Sequence, residues 1–340
     1  MTELPSDKKR EIFIRAEEPI SEYGCEPQMR PLAVYIDNGV LNLNKPAGPT
    51  SHEIVAWVKR ILDIRRAGHS GTLDPHVTGD LPIMLGNATK AVSALLKAGK
   101  EYVCVMKLHA SNNPLKIEKI CNMFVGPIYQ RPPLVSAVKR QTRIRNIYYL
   151  DVHEIDDRNV LFTVGCEAGT YIRKLCHDIG EVLGPGAHMQ ELRRTRTGPF
   201  TVDNSFTLQD LKDAWVGYEE TGDESRIRTV IHPMESALVH LPHVIIRESA
   251  VDALCHGASL AAVGILKVES EIEPEDLVAV MTQKGEAVML GIAAMTTIDM
   301  LNAKTGIAVT SKRVIMAPNT YPKGWTTKEY KEAGINIENI

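Results

Sequence analysis

The stretch Gly68–Lys90, GHSGTLDPHVTGDLPIMLGNATK, limits what this chain can become more than any other. It opens on a turn of small residues running from Gly68 to Asp74-Pro75. A second turn is expected at Thr78-Gly79-Asp80, followed by the apolar run Leu81–Leu85 and a segment of helical character. Glycine reaches backbone conformations other residues resist, and Pro75 biases Asp74 away from the helical region. One carboxylate is therefore carried on a tight loop between ordered elements, where it can be aimed at a bound molecule. Taken alone, the same string is also ordinary turn punctuation.

Several elements flank that loop. Alternation in Leu41-Asn42-Leu43-Asn44 predicts a strand, and Lys45-Pro46-Ala47-Gly48-Pro49 a rigid turn. Thr50 or Ser51 then caps a helix over His52–Leu62, whose Ile54, Val55, Val58, Ile61 and Leu62 recur at helical spacing. Lys59, Arg60, Arg65 and Arg66 lead into the loop with only Asp63 against them, a set that suits phosphates or a solvated helix face. Glu101–His109 alternates as a half-buried strand that starts at Tyr102. Residues 126–145 hold Arg131, Lys139, Arg140, Arg143 and Arg145 with no acidic residue, and Tyr129 could add stacking; a phosphate clamp and a basic solvent-facing hairpin both fit. Leu161–Cys166 reads as a strand and Glu167–Thr170 as a turn. A helix over Tyr171–Leu183 follows, ended by Gly184-Pro185-Gly186. With Thr170 as its cap, Arg173 falls in the first turn, where the macrodipole disfavours a cation and a compensating anion is needed.

Length and composition set the frame. The 340 residues suffice for about two domains, and 44% apolar with 24% charged residues is globular usage. A net charge of −3 does not by itself advertise nucleic-acid binding, but the cations cluster before residue 200 and the acids at Thr207–Glu235. A domain boundary is expected near residue 236. Beyond it, Val244–Ile246, Ala262–Leu266, Leu277–Met281, Ala287–Ile292 and Gly306–Val309 form short apolar runs separated by turns, the pattern of a small strand barrel. Residues 1–30 carry seven acidic and five basic side chains with Pro5, Pro19 and Pro27, an extended or partly ordered arm. No apolar run reaches membrane-spanning length, and the charged start lacks a signal-peptide core. Cys25, Cys104, Cys121, Cys166, Cys176 and Cys255 show no metal-ligand spacing, so a reduced, cytoplasmic, metal-free protein is expected.

The loop string closely resembles the catalytic motif of the TruB and dyskerin family of pseudouridine synthases, and further motifs follow in family order over roughly residues 30–325. These are Lys45-Pro46-Ala47-Gly48-Pro49-Thr50-Ser51, Gln130–Arg140, Gly169-Thr170-Tyr171-Ile172-Arg173 and Glu191–Phe200; Asn44 and His76 depart from the usual Asp and Lys or Arg. His256-Gly257-Ala258 and Gly264-Ile265-Leu266-Lys267 resemble the PUA domain, an RNA-binding module.

The resemblance implies an α+β fold in which a mixed-sheet catalytic domain over 31–235 precedes a small β-barrel PUA domain over 236–325. It also implies an N-terminal arm (1–30) packed on the PUA domain and a tail over 326–340. The implied activity is isomerisation of uridine to pseudouridine in rRNA or tRNA without cofactor. Asp74 is the implied catalytic carboxylate, Tyr102 stacks on the base and aids proton transfer, and the guanidinium fork of Arg173 pairs with Asp74. Implied substrate or RNA contacts are Lys45, His69, Thr72, His76, Arg131, Lys139, Arg140, Arg143, Arg145, Leu175, Arg193 and Arg194. In the PUA domain they are His256, Gly257, Ala258 and Lys267. The arm and PUA domain favour the archaeal dyskerin-type branch, whose partners are box H/ACA guide RNA and accessory proteins. A guide-free tRNA pseudouridine-55 synthase and a non-catalytic ribonucleoprotein scaffold are the alternatives.

Overall fold

The computed structural model describes residues 3–132 and 141–323. Its chain divides into two compact units: residues up to Lys8 with Val40–His232, and Lys9–Gly39 with Pro233 onward.

The first unit is built on one mixed sheet. Its strands include β1 (Gly39–Lys45), β2 (Ala67–His69), β3 (Thr78–Leu85), β4 (Lys100–Leu108), β5 (Gly126–Gln130), β6 (Arg143–Asp156), β7 (Asn159–Cys166) and β8 (Ala187–Thr197). They run in the order β1-β3-β8-β4-β7-β6-β5, with β2 also paired to β3. Period-two alternation sets the packed face: Cys104 and Met106 of β4 align with Phe162 and Val160 of β7, Leu108 continues the row, and all five are fully buried. Two helices cover that face, α2 (Pro114–Met123) through Ile117 and Cys121, and α3 (Ile172–Leu183) through Leu175, Cys176 and Ile179. Cys176 Sγ meets Cys104 Sγ at 3.6 Å, a packing contact between helix and strand.

Helix α1 (Ser51–Ile61) begins at Thr50, whose hydroxyl accepts the Glu53 N–H while the Glu53 carboxylate accepts the Thr50 N–H. This reciprocal box settles the choice between Thr50 and Ser51 as cap. Two local expectations are corrected. Thr78-Gly79-Asp80 is not a turn but the start of β3, a strand buried along nearly its whole length. There β3 runs parallel to β8, with Thr78 opposite Arg193 and Gly79 opposite Arg194. Gly79 has φ +105°, and a Cβ on it would lie 2.1 Å from the Arg194 carbonyl oxygen, so the glycine marks a close approach of backbones. Thr170 does not cap α3; its hydroxyl donates to the Glu167 carbonyl at 2.7 Å, and Tyr171 occupies the cap position.

In the second unit seven strands run in the order 12–14, 265–269, 243–246, 277–281, 287–293, 307–314 and 260–261. The run expected as one strand over Ala262–Leu266 is interrupted by a 3-10 turn at Ala262–Gly264, and Glu248–Cys255 forms a helix. Ile12–Ile14 pairs antiparallel with Ile265–Glu269, and the Arg15 guanidinium donates to the Met300 and Ala303 carbonyls at the end of the helix Thr297–Asn302. Residues 31–39, expected with the catalytic domain, group here instead. Arg30 makes a two-pronged buried pair with Glu235 at 2.7 and 3.0 Å, and the Asn38 carbonyl accepts the Met234 N–H.

Candidate active site

Asp74 sits on the loop between β2 and β3, and the loop is held by buried polar side chains from separate elements. Ser51, at the start of α1, accepts the Leu73 N–H at 2.9 Å and donates to the Leu73 carbonyl at 3.1 Å. Lys45, at the end of β1, donates from Nζ to the carbonyls of Pro46, Pro75 and Val77 at 2.9–3.0 Å. Arg194, on β8, donates to the Gly71 carbonyl at 3.2 Å and the Asp80 carbonyl at 2.7 Å. Backbone bonds from Val77 N–H to the Asp74 carbonyl and Gly48 N–H to the Pro75 carbonyl close the turn. Main-chain groups on both sides of Asp74 are thus fixed while its own carboxylate, 59% exposed, stays open to solvent.

Arg173 reaches this carboxylate from α3, with Nη2 2.7 Å from Asp74 Oδ2, a single contact rather than a two-pronged one. The helix start behind it is fixed by Gln130, whose side-chain amide accepts the Tyr171 N–H and donates to the Tyr171 carbonyl, at 2.9 and 3.1 Å. Lys45 lies within electrostatic reach. Burial pulls its pKa down, while the charge of Asp74 pushes it back up. Tyr102 continues the apolar face of β4 at its end, and burial pushes its phenol up, opposed by the Arg194 guanidinium. Asp80, Lys100 and Arg194 form a buried charged group beneath the loop. Burial pushes Asp80 up to about 7 against the pull of Arg194 and Lys100, and brings Lys100 down to about 7.

The expected RNA contacts divide by exposure. Thr72 and His76 are exposed on the loop, as are Arg131 and Arg143 on the far edge of the sheet. His69 is half-buried, its Nδ1 accepting the Gly71 N–H at 3.3 Å and its ring edge-on to His52 at 5.2 Å; burial lowers its pKa, with smaller contributions from His52 and Arg194. Arg193 donates to Thr78 Oγ1 and Asn44 Oδ1, both at 3.3 Å. Arg145 is already paired with Glu167 at 2.9 Å.

Three expectations are overturned by burial. Lys45 (0% exposed) and Arg194 (1%) spend their donors on the protein's own backbone, and Leu175 (0%) packs in the core beneath α3. None of the three presents a surface to RNA. Lys139 and Arg140 lie outside the described residues. In the second unit His256, Gly257 and Ala258 are exposed just past the helix Glu248–Cys255, His256 Nδ1 lying 2.8 Å from the Asp252 carbonyl. Lys267 lies half-buried in the strand paired with Ile14 and Ile245.

Sequence reasoning gave no holding role to Ser51 or Gln130 and missed the buried Asp80. A hydroxyl or amide that binds main chain across 22 or 41 residues leaves no local periodicity to read. Among the described residues, no group of three or more His, Cys, Asp or Glu side chains could hold a metal ion, and no helix is long and apolar enough to cross a membrane.

Comparison with known proteins is consistent along the whole chain. Residues 59–172 match the N-terminal domain of the TruB family pseudouridylate synthases, and 173–239 the C-terminal domain of tRNA pseudouridylate synthase B. Residues 242–315 match the PUA domain, and 2–55 the DKCLD domain. A probable tRNA pseudouridine synthase B of Methanopyrus kandleri is 59% identical over 96% of both chains. One of Methanosarcina barkeri is 57% identical over 96% of this chain and 97% of the other. Among solved structures, a chain of a Cbf5-Nop10-Gar1 complex superposes with TM-score 0.90 at 53% identity, covering 94% of this chain and 98% of that one. A chain of an H/ACA RNP bound to a substrate RNA containing 2′-deoxyuridine gives TM-score 0.89 at 50% identity, covering 95% and 99%.

Proposed function

The chain belongs to the TruB family of pseudouridylate synthases, and on that footing we propose that it isomerises selected uridines of RNA to pseudouridine, with Asp74 as the catalytic carboxylate and a box H/ACA guide RNA choosing the target. The observation that carries the reading is the pairing of an open carboxylate with Arg173 at 2.7 Å on a loop whose main chain is fixed on both sides. A nucleophile with few arrangements to lose on binding is what positional catalysis requires.

The reaction is an isomerisation and needs no outside oxidant or reductant. The target base is flipped from its stack, since its reacting atoms are out of reach inside one. Asp74 acts as nucleophile on the uridine, and the bond it forms is broken again before the product leaves, which returns the free carboxylate. The N1–C1′ bond breaks, the base turns, and C5–C1′ forms; C5 loses its proton and N1 gains one. Arg173 orients the carboxylate, and Tyr102 offers an apolar face for the base with a phenol for proton transfer. The exposed cations Arg131 and Arg143 supply phosphate contacts, joined by Lys139 and Arg140. The PUA domain, through His256, Gly257, Ala258 and Lys267, holds RNA, with residues 9–30 of the arm packed on it; residues up to Lys8 group with the catalytic unit instead.

Guide dependence is supported by likeness over nearly full length to chains solved in H/ACA RNP assemblies, one of them with Nop10 and Gar1. Accessory proteins of that kind are the partners expected here, and cysteines held as reduced thiols fit a cytoplasmic site of action. The names of the relatives favour a second reading, a synthase acting on tRNA without a guide. Pseudouridine formation measured on bare tRNA transcript and on a guided target strand with accessory proteins separates the two. Conversion of the guided strand, alone or with tRNA, upholds the proposal; conversion of tRNA alone removes the guide. Conversion of neither removes the activity and leaves a scaffold.

A further inference from the structure

Arg194 is among the largest fully buried side chains of the protein, and its donors are spent in an unusual way. The carboxylate of Asp80 lies close enough for the two charges to interact, yet the Arg194 guanidinium makes no hydrogen bond to it. The guanidinium instead donates to main chain, through Nε to the Asp80 carbonyl on β3 and through Nη2 to the Gly71 carbonyl three residues before Asp74. On its other side Arg194 stands opposite Tyr102 in the β4–β8 ladder, and its guanidinium acts on the Tyr102 phenol. Gly79, with no room for a Cβ against the Arg194 carbonyl, sets the backbone from which the side chain reaches out. One rigid fork therefore binds the loop that carries Asp74 and the strand behind that loop, from a residue that stands opposite the tyrosine on the neighbouring strand.

We propose that Arg194 is a positioning residue that holds the Asp74 loop and the Tyr102 ring in fixed relation, rather than a contact for RNA. The inference rests on the reading of Asp74 and Tyr102 as catalytic groups. A buried guanidinium presents several donors in one plane and can bind Gly71 and Asp80 at once. An ammonium on a flexible stem cannot reproduce that geometry, even where it keeps the charge. Small displacements of a reacting group far from the substituted site are expensive in rate, about 100-fold for about 1 Å.

The test is single-turnover pseudouridine formation by the full chain, with accessory proteins and guide if wild type needs them, on whichever RNA wild type converts. Arg194→Met is expected to slow conversion about 100-fold, and Arg194→Lys about 10-fold, with RNA affinity within about 3-fold of wild type in both. Circular dichroism checks folding, and if the methionine variant does not fold the lysine variant decides. Full-rate conversion by either folded variant overturns the proposal. So does a loss of RNA affinity with the bound rate unchanged, which restores Arg194 as an RNA contact. A wild-type protein that converts no RNA refutes the function itself, an outcome distinct from a wild type that works with variants that work equally well.

Discussion

Replacing Asp80 by Asn is expected to change how stability depends on pH more than it changes stability at any one pH. Asp80 is fully buried at the base of the catalytic loop and is pushed up to about 7 from an ordinary 3.8. Between those values the native protein holds a proton that the unfolded chain has released, so stability falls as pH rises through the window. Each pKa unit corresponds to about 1.4 kcal/mol, so the loss attributable to this group between pH 4.5 and 7.5 is about 3 kcal/mol. Asparagine cannot ionise and removes that slope. Packing changes caused by the substitution are common to both pH values and cancel in the difference. The measurement is urea unfolding at the two pH values, followed by fluorescence of Trp57 and Trp215 in a Trp325→Phe background. Relative to wild type, the asparagine variant should gain about 3 kcal/mol on going from pH 4.5 to 7.5. A difference that stays constant within about 1 kcal/mol would refute the argument that an ionised Asp80 is penalised by burial. Lys100 titrates in the opposite sense and above the window. Its pKa falls to about 7 from 10.5, so its contribution rises with pH only between those values.

Other consequences follow from the same geometry. Arg173→Lys should lose about 100-fold in turnover, because a point charge does not orient Asp74 as a guanidinium does. With the pair 65% and 59% exposed, the same change should alter the unfolding free energy measured in urea by less than about 1 kcal/mol; unchanged turnover would dismiss the pair from the reaction. Lys45→Met should leave RNA affinity in a filter-binding assay unchanged but destabilise the first unit by about 2–4 kcal/mol, since the carbonyls of Pro46, Pro75 and Val77 lose their donor. Weakened binding at unchanged stability would return Lys45 to the RNA surface. In the second unit, Glu235→Gln takes the directly paired carboxylate from the buried Arg30 and leaves it only the more distant charge of Glu286, a loss of about 2–4 kcal/mol by thermal unfolding, and a change under about 1 kcal/mol would contradict the buried pair.

How far the chain could be read in advance depended on whether a residue's role is local. The strand-turn-helix around Thr50 and the alternation of β4 follow from periodicity and capping, which a sequence displays directly, whereas the α+β class came with the family resemblance. The TruB-type motif order pointed to the family that the comparisons show. Charged residues were harder. The family resemblance implied RNA contacts at Lys45 and Arg194, and only the folded backbone reveals the carbonyls that their donors bind. Asp80, beside Thr78 and Gly79, had the composition of a turn. It is instead a strand position paired with Asn44 of β1, and the parallel pairing of Thr78 and Gly79 with β8 comes from more than a hundred residues away. Leu175 sat beside a motif arginine and seemed near the substrate, whereas helical geometry turns it to the opposite side of α3, into the core.

The central claim is that Asp74 isomerises uridine, and tritium release from RNA carrying 5-tritiated uridine tests it most directly, since a new bond at C5 must displace that atom. Wild type should release tritium from the target position. Asp74→Asn should bind the same RNA with unchanged affinity and release none. Release by the asparagine variant at the wild-type rate would contradict the account and require a different residue to do the chemistry.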